Sequence, residues 1–454
     1  MSLHLFKNYL KKYSQTKLIL RFFNYFCLCS KALLYFILST NHTSLNLKQL
    51  SASFFTYRDF AVQTLTNYLL TNLMQQSVMT KGFWLIVMAI LGSHTLYAQK
   101  YSNEFLSIGL GARAQGMGGA MVAHVNDATS SFWNPAGLHG IDTDLQIGAQ
   151  HAEWFGGIGK YDYVGFGMPL KNQPRYIGFS FIRFGVDGIP NTLSLYEDDG
   201  SVNDSNVTDF SAADYAFLLN YAQTWEEIGL SIGVTPKIIH RKVGPFASSW
   251  GFGADIGAQY QLNKSFQFGL LLKDITTTFN AWRFNFTEDE KDVLNLTGNE
   301  IPIKSFEITR PQIILGGAYM HDFFLGQPEE GKKQKTFGIL TELDLVVTTD
   351  GRRNTLVSSK PFSMDPAFGM ELDYNKIVFL RAGVNNFQQF KNIDDEMIWS
   401  AQPNFGVGFR IYKFRIDYAL TNLGGNSGVL PSHIVSIRLD INYDYIKQAI
   451  LKES

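Results

Sequence analysis

The feature that most constrains the fold is a period-two alternation of apolar and polar side chains, which recurs from residue 144 onward. In GFGADIGAQY (251–260), Phe252 and Ile256 fall on one face, while Asp255 and Gln259 fall on the other. Successive side chains of a β-strand point to opposite sides of its sheet, so each such segment predicts a strand with one apolar face. The chain is therefore expected to be all-β after its N-terminal part.

Fourteen segments show this pattern, and many are longer than the strands of ordinary globular domains. They lie near 144–156, 160–170, 175–187, 212–223, 228–241, 250–261, 265–276, 309–321, 335–347, 366–375, 376–386, 402–412, 413–421 and 433–443. Their length suits a tilted membrane strand of roughly 9–11 residues, and short links alternate with long polar ones. We expect a transmembrane outer-membrane β-barrel of about 14 antiparallel strands, with Phe, Ile, Val and Tyr facing outward and Gly, Asp, Arg and Gln facing the lumen.

A soluble β-sandwich or a periplasmic barrel would show the same alternation. The strand number and the composition favour the membrane barrel. Charged residues make up 17% of the chain and aromatic residues 14%, with 37 Phe among the 454 residues. Roughly 25% charged residues is usual in soluble domains. An exported soluble β-protein remains the alternative at the level of the fold.

The N-terminal region predicts an export signal that begins inside the sequence. Residues 79–98 (MTKGFWLIVMAILGSHTLYA) have a basic start, an apolar centre and a small residue at the end, which is the layout of a secretory signal peptide. Cleavage after Ala98 would make Gln99 the first mature residue. Residues 1–78 show neither helical nor strand periodicity, and we interpret them as a mis-called N-terminal extension that precedes the true start at Met79.

Removal of residues 1–98 changes the charge and the cysteine content of the mature chain. Both cysteines, Cys27 and Cys29, lie in the removed part, so disulfides cannot stabilise the exported protein. The removed part also holds nine Lys or Arg and one Asp, which leaves 30 basic and 39 acidic residues. An acidic protein is a poor ligand for phosphate backbones, so no nucleic-acid partner is expected.

The segment 99–143 precedes the first strand and is rich in glycine and alanine. Its glycines lack the G-x-G-x-x-G spacing of a dinucleotide site after a strand, so we reject a nucleotide cofactor there. A short helix is expected at Ser130–Trp133, capped by Asp127 or Thr129 and ended by Asn134-Pro135. The segment predicts an N-terminal luminal plug, or hatch, which would pack against inward-facing glycines of the wall: Gly253, Gly257, Gly406 and Gly408.

The stretch YSNEFLSIGLGARAQGMGGAMVAHVNDATSSFWNPAGL (101–138) resembles the N-terminal signature of the PorV/PorQ family. FLRAGVNNF (379–387), PNFGVGFRI (403–411) and FRIDYALTNLG (414–424) are also similar to that family, so the resemblance spans roughly 100–443. It implies a FadL-like fourteen-stranded outer-membrane barrel with a hatch. It also implies a role in type IX protein secretion, with translocon subunits or exported cargo proteins as partners.

Within this organisation the barrel is expected over 144–445, followed by a C-terminal tail over 446–454. The last strand of such barrels commonly ends on an aromatic residue, whereas this sequence continues past Tyr443 and Tyr445. The candidate hatch contacts are Arg113, Asn134 and Pro135, for which an anchoring role is the preferred interpretation.

No catalytic, cofactor-binding or metal-binding residues are predicted, and we expect no enzyme. The histidines lack metal-binding spacing such as H-E-x-x-H, and no G-x-S-x-G motif or cysteine nucleophile is present in the mature chain. Acidic clusters at 197–204 and 288–290 could hold calcium, but their spacing does not match an EF-hand loop. We interpret them as solvated loops.

Two function classes remain open for an outer-membrane protein in contact with lipid. The first is a type IX secretion component that binds other proteins without catalysis. The second is a FadL-like transporter of hydrophobic small molecules. A transporter needs an apolar path through the lumen, whereas the inferred lumen faces carry Asp255, Glu371, Arg415 and Asp417. The sequence therefore favours a protein ligand bound at the rim and loops.

Overall fold

The computed structural model describes residues 102–171, 173–197, 201–301, 305–326, 334–348, 353–359, 362–391, 395–421 and 431–442. The proposed extension over 1–78, the signal peptide over 79–98 and the tail over 446–454 lie outside these residues. The unit described below belongs to the compact part Thr95–Ser454.

The described chain is a sheet of 17 strands that closes on itself. The strands are β1 (Leu145–Trp154), β2 (Gly159–Pro169), β3 (Arg175–Asn191), β4 (Thr208–Trp225), β5 (Leu230–Val243), β6 (Ala247–Gln261), β7 (Phe266–Lys273), β8 (Thr278–Phe284), β9 (Ser305–Thr309), β10 (Gln312–Leu325), β11 (Lys335–Thr348), β12 (Val357–Ser358), β13 (Ser363–Tyr374), β14 (Val378–Lys391), β15 (Met397–Ile411), β16 (Phe414–Thr421) and β17 (Ser432–Ile441).

Fourteen of these strands form the barrel wall, and each pairs antiparallel with its neighbours. The wall runs β1 to β7 and then β10, β11 and β13 to β17, and β17 pairs with β1 from Ile441↔Leu145 to His433↔Glu153. The predicted all-β, fourteen-stranded barrel is therefore confirmed. Each of the fourteen predicted segments overlaps one wall strand.

The wall is interrupted at one place that the alternation did not reveal. The first part of β6 (247–252) pairs with β8, and its last part (256–261) pairs with β7. The chain leaves the ladder between the end of β7 and the start of β8. Asp274 and Thr277, at either end of this interruption, have positive φ angles of 55° and 59°. A similar break separates β9 from β10. It includes Pro311, which has no N–H to donate to a ladder.

Side chains on the two faces of the wall differ as predicted. Large apolar side chains such as Phe405, Phe409 and Leu380 are about half exposed on the outer face. Polar and charged side chains such as Glu371 and Arg381 are buried on the inner face. The alternation therefore has the orientation of a membrane barrel, apolar outside and polar inside.

The helices within the described residues are few and short. They are α1 (Ala112–Gly116), α2 (Ser130–Trp133) and α3 (Glu288–Leu296), with 3-10 turns at Glu104–Leu106, Pro135–Gly140, Asp204–Asn206 and Glu226–Ile228. No helix within the described residues is long and apolar enough to cross a membrane.

The two ends of the barrel differ in their connections. One end, the short-turn rim, carries the turns at 170–174, 226–229, 262–265, 375–377 and 412–413. The other, the long-loop rim, carries the long links after β3 and after β8 as well as α3. Residues 102–143 lie inside the wall between these rims, and we call this segment the hatch.

Candidate functional site

The backbone of the hatch needs its glycines at specific places. Gly109, Gly111, Gly118 and Gly119 have φ angles between 66° and 95°, a region that residues with a side chain rarely adopt. Gly116 needs no unusual φ but approaches the wall closely, because a Cβ there would lie 3.0 Å from the Cα of Gly406. The small residues thus let the hatch turn tightly and touch the inner wall.

The inward-facing glycines of the wall fall into two groups. Gly406 faces the hatch, and Gly257 lies under Asn134 and Pro135. Gly253 and Gly408 were expected to contact the hatch, but wall side chains lie next to them instead. A side chain at Gly253 would collide with Thr278 on β8, and one at Gly408 with Asp417 and Arg381. The expectation was wrong for these two because it could not foresee which wall side chains occupy the lumen.

Asn134 and Pro135 anchor the centre of the hatch. The side-chain amide of Asn134 donates to the backbone carbonyls of Val122 at 2.8 Å and Ala258 at 3.1 Å, and its oxygen accepts from the N–H of Ala136 at 3.1 Å. Asn134 is fully buried, so these bonds replace water completely. Pro135 starts the following 3-10 turn, where its missing N–H costs nothing.

The predicted helix Ser130–Trp133 is present as α2. Thr129 precedes it, but neither Thr129 nor Asp127 makes a side-chain cap to its first turn. Instead the Asp127 carboxylate accepts from the backbone N–H of Thr129 at 2.9 Å. Asp127 also lies 3.6 Å from Arg438 of the wall, so this carboxylate connects the hatch to β17.

Arg113 connects the hatch to a buried group of charges on the wall. Its guanidinium donates to the Glu371 carboxylate at 3.2 Å and to the Asn126 side-chain oxygen at 2.8 Å. Glu371 also accepts from Arg381 at 2.6 Å and from Arg415 at 3.2 Å. We call Arg113, Glu371, Arg381, Arg415 and Asp417 the lumen charge network.

Every charge in this network has an opposite partner. Asp417 lies 2.9 Å from Arg381 and 3.2 Å from Arg415. Burial alone would lower the pKa of Arg113, but the charges of Glu371 and Asp127 outweigh burial and raise that pKa above its ordinary value. Paired in this way, the guanidinium stays charged inside the lumen.

A second contact joins the hatch to β11 through Glu342 and Asp344. Asp344 accepts from the N–H groups of Met121 and Val122 at 2.8 and 2.9 Å, and Glu342 accepts from that of Ala123 at 2.5 Å. Both carboxylates are about 1% exposed. Neither carboxylate is among the predicted hatch contacts, although acidic residues alternating with Leu343 and Leu345 in ILTELDLVV were a usable signal.

His124 lies beside this contact and is held neutral. Burial is the main cause that lowers its pKa to about 4, and the positive charge of Arg113 adds to it. Its ring nitrogen Nδ1 lies 3.1 Å from the Gln267 side-chain oxygen. No group of three or more His, Cys, Asp or Glu side chains that could hold a metal is present in the described part of the chain.

The acidic loop clusters have structural partners. Glu288, Asp289 and Glu290 occupy the first turn of α3, where negative charge is favourable, and Glu290 forms a capping box with Thr287. Glu197 accepts from Asn203 at 2.7 Å and from Asn206 at 2.9 Å. Asp198 and Asp199 lie outside the described residues.

Two small cavities lie beside the hatch. A cavity of about 40 Å³ lies between the hatch and the wall near Arg113, Asp127 and Tyr163. A second, of about 20 Å³, lies at the N-terminal end of the hatch near Asn103 and Lys273. Each has room for very few water molecules. Neither could hold a drug-sized apolar ligand.

A much larger cleft lies at the long-loop rim. It has a volume of about 730 Å³, and its apolar lining includes Phe210, Val243, Phe246, Trp282, Phe284, Phe286 and Leu294. Phe210 and Phe246 meet edge to face at 5.1 Å, and Arg241 lies 5.1 Å from the centre of the Trp282 ring. We call it the aromatic cleft.

Comparisons with known proteins give structural neighbours only. No protein-family model and no curated protein sequence matches the chain. Among solved structures, the Pseudomonas putida toluene transporter TodX is 13% identical, with a TM-score of 0.44, and covers 73% of this chain and 98% of its own. The CymD monoaromatic hydrocarbon channel is 13% identical, with a TM-score of 0.43 and coverages of 74% and 98%. A Pseudomonas aeruginosa FadL homologue is 12% identical, with a TM-score of 0.39 and coverages of 72% and 97%.

Proposed function

We propose that this protein is an outer-membrane β-barrel component of a type IX protein secretion system, in the manner of the PorV/PorQ family. In this role it binds translocon subunits or exported cargo proteins at its rim and catalyses no reaction. The lumen charge network is the observation that carries the proposal. Five buried charged side chains join the hatch to three wall strands inside the lumen, toward the short-turn rim, where a hydrophobe path would need apolar side chains.

The contacts between the hatch and the wall favour binding at the rims. Displacing the hatch would separate the buried Arg113 guanidinium from the Glu371 carboxylate, and breaking a buried ion pair is costly. A barrel that keeps its hatch in place offers a ligand its loops and rims, which is a surface suited to another protein. The similarity of 101–138 to the PorV/PorQ signature supplies the secretion role.

The test is deletion of the gene followed by comparison of the secreted proteins. We expect fewer exported cargo proteins from the deletion strain, and recovery when the wild-type gene is restored. Affinity purification of the intact barrel from gently solubilised membranes should recover translocon subunits or cargo. An unchanged set of secreted proteins together with recovery of the barrel alone would contradict the proposal.

The outer-membrane location is tested separately. Closed barrels with an apolar outer face keep their shape in detergent until heated, so heated and unheated samples should differ in gel mobility. Fractionation as a soluble protein without a heat-dependent shift would contradict this location.

A second candidate function is an outer-membrane transporter of hydrophobic small molecules, and the aromatic cleft favours it. A pocket lined by Phe210, Phe246 and Phe284 suits an apolar or aromatic compound. Native mass spectrometry of the purified barrel separates the candidates. A stoichiometric hydrophobe that is lost on Phe284→Ala, but retained on Phe405→Ala at the outer wall, would support the transporter.

A further inference from the structure

Two carboxylates of the wall hold the middle of the hatch without a basic partner. Glu342 and Asp344 are two residues apart on β11, so both side chains point into the lumen, where each is about 1% exposed. Neither forms an ion pair with a lysine or arginine of the described residues. Glu371 in the lumen charge network differs, because three arginines surround it. The two acids on β11 are therefore buried without a counter-charge, and we call them the carboxyl pair.

The hatch donates hydrogen bonds to only one oxygen of each acid. Residues 121–124 contribute four consecutive backbone N–H groups. The first two donate to Asp344 Oδ2 at 2.8 and 2.9 Å, and the last two donate to Glu342 Oε1 at 2.5 and 3.3 Å. Such a row of donors stabilises negative charge. The other oxygens, Glu342 Oε2 and Asp344 Oδ1, are buried and accept no bond from the described N–H and O–H groups.

The two acids also contact each other. The side chain of Glu342 is hydrogen-bonded to that of Asp344. An ionised carboxylate can only accept, so a bond between two carboxyl groups requires a proton on one of them. Adjacent buried carboxylates repel each other when both are ionised, and a pair of this kind commonly shares one proton. The contact therefore indicates a pair with one proton and one negative charge.

The direct neighbours of the pair do not supply a positive charge. Those across the ladder are small and uncharged: Gly316 and Ala318 on β10, and Ala367 and Gly369 on β13. In the hatch, burial lowers the pKa of His124 to about 4, so its ring is neutral at pH 7. The hatch thus reaches the pair with N–H dipoles and no net charge.

Charged groups further along the same elements are paired with other residues or are acidic. The acidic ones are Asp127 on the hatch, Asp322 on β10, and Asp365, Glu371 and Asp373 on β13. Of the basic ones, Arg113 and Arg381 bind Glu371, and Lys376 binds Asp322. Lys273 on β7 donates to the backbone carbonyl of Leu106 at 2.9 Å. The surroundings therefore favour a proton on the carboxyl pair.

We propose that Glu342 and Asp344 share one proton, and that the protonated pair is a latch that holds residues 121–124 against β11 and weakens as pH rises. The proton lies on Glu342 Oε2 or Asp344 Oδ1, and the four N–H groups of the hatch stabilise the single remaining charge. Release of the proton to solvent leaves two adjacent buried charges, which drive the contact apart. This inference concerns the hatch alone and does not rest on the secretion role.

Unfolding of the intact barrel in denaturant, between about pH 6.5 and about pH 8, tests the latch above the range of His124 and below that of tyrosine and lysine. Unfolded Glu and Asp hold no proton at these pH values. The folding equilibrium constant of the wild type should therefore fall by about tenfold per pH unit while the folded pair keeps its proton. In Glu342→Gln the amide donates in place of the proton, so the constant should stay level.

Two further variants accompany this measurement. Asp344→Asn should also remove the dependence on pH, because it too replaces the shared proton with an amide donor. Glu227→Gln changes an exposed acid on the 3-10 turn Glu226–Ile228 and should follow the wild type. Parallel curves for the wild type and both amide variants of the carboxyl pair would overturn the inference.

Infrared difference spectroscopy detects the proton directly in the wild-type barrel, so it decides the question even if a variant does not fold. Raising the pH from about 6.5 to about 9 should remove a band of a protonated carboxyl group. Isotopic labelling of glutamate or aspartate assigns that band, and it should be missing from Glu342→Gln. No such band, or the same band in Glu342→Gln, would overturn the inference. So would a wild type without the band whose unfolding midpoint rises on addition of Na⁺ or Ca²⁺, because a cation would then take the place of the proton.

Discussion

The hatch contacts and the aromatic cleft are two regions of this barrel that differ in the side chains that form them: charged and polar groups at the hatch, and aromatic rings at the cleft. At the hatch, charges and backbone hydrogen bonds join the segment to the wall, and two cavities beside it measure about 20 and 40 Å³. At the long-loop rim, aromatic rings surround an open cleft of about 730 Å³. The contrast teaches that the fold uses different side chains at the two places. Paired polar groups hold the hatch against the wall, whereas apolar surface remains accessible at the long-loop rim.

The largest effect on the hatch is expected from the removal of Glu371. Glu371→Ala leaves Arg113, Arg381 and Arg415 without their shared carboxylate, and breaking a buried ion pair costs about 3–5 kcal/mol. We expect a lower unfolding midpoint in denaturant and greater entry of large antibiotics into cells. Glu288→Ala on the exposed helix α3 is the control. Equal midpoints and equal permeability in both variants would show that the network does not hold the hatch.

Acid should loosen the hatch through His124. The pKa of His124 is lowered to about 4, so the folded state favours the neutral ring. The resulting stability is complete above about pH 6.5 and is lost as pH falls toward 4, by up to about 3 kcal/mol. His124→Gln should therefore flatten the dependence of the unfolding free energy on pH between 6.5 and 4. Parallel curves for the two proteins would contradict this expectation.

Loss of the Asn134 amide should have a smaller effect. Asn134→Ala leaves the buried carbonyls of Val122 and Ala258 without their donor, which costs about 1–3 kcal/mol. Unfolding in denaturant measures the change. Asn203→Ala in an exposed link should change stability by no more than about 0.5 kcal/mol. If Asn134→Ala lowers the unfolding free energy no more than Asn203→Ala does, Asn134 does not anchor the hatch.

A substitution in the aromatic cleft should change ligand affinity and leave the stability of the barrel unchanged. Phe284→Ala removes a ring from the cleft, and we expect the affinity for a fluorescent apolar probe to fall by about tenfold, or about 1.4 kcal/mol. The heat-dependent mobility should be unchanged, because the Phe284 ring takes no part in the hydrogen bonds and ion pairs that hold the hatch. Probe titration of the purified barrel measures the affinity. If Phe284→Ala lowers the stability of the barrel without lowering its affinity for the probe, the cleft stabilises the fold and does not bind the probe.

The sequence predicted the wall well because every wall strand separates two environments. One face meets the surroundings and the other the hatch, so the alternation in segments such as 402–412 is complete and local. The interruption between β7 and β8 was missed because Asp274 and Thr277 adopt positive φ without glycine. Helix α3 was missed within a link that looks polar, although Thr287 and Glu290 have the spacing of a capping box.

The hatch was predictable as a compact segment but not in its contacts. Arg113 and Glu371 are 258 residues apart, and nothing local in either segment indicates that they meet. Asn134 and Pro135 could be chosen because a turn after a short helix needs them locally. The partners Glu342 and Asp344 depend on the register of β11 against the hatch, which only the closed wall defines.

The path of the hatch has a consequence for how the molecule is assembled. Ser102 and Asn103 hydrogen-bond to β8 and β9 near the long-loop rim, whereas the other end of the hatch enters β1 at the opposite rim. The chain therefore runs through the lumen from end to end. Threading it through a finished ring would mean pulling paired charges past one another. It is simpler for the strands to wrap around a segment already in place, with the seam between β1 and β17 joined last. The hatch would then serve as the template on which the wall closes.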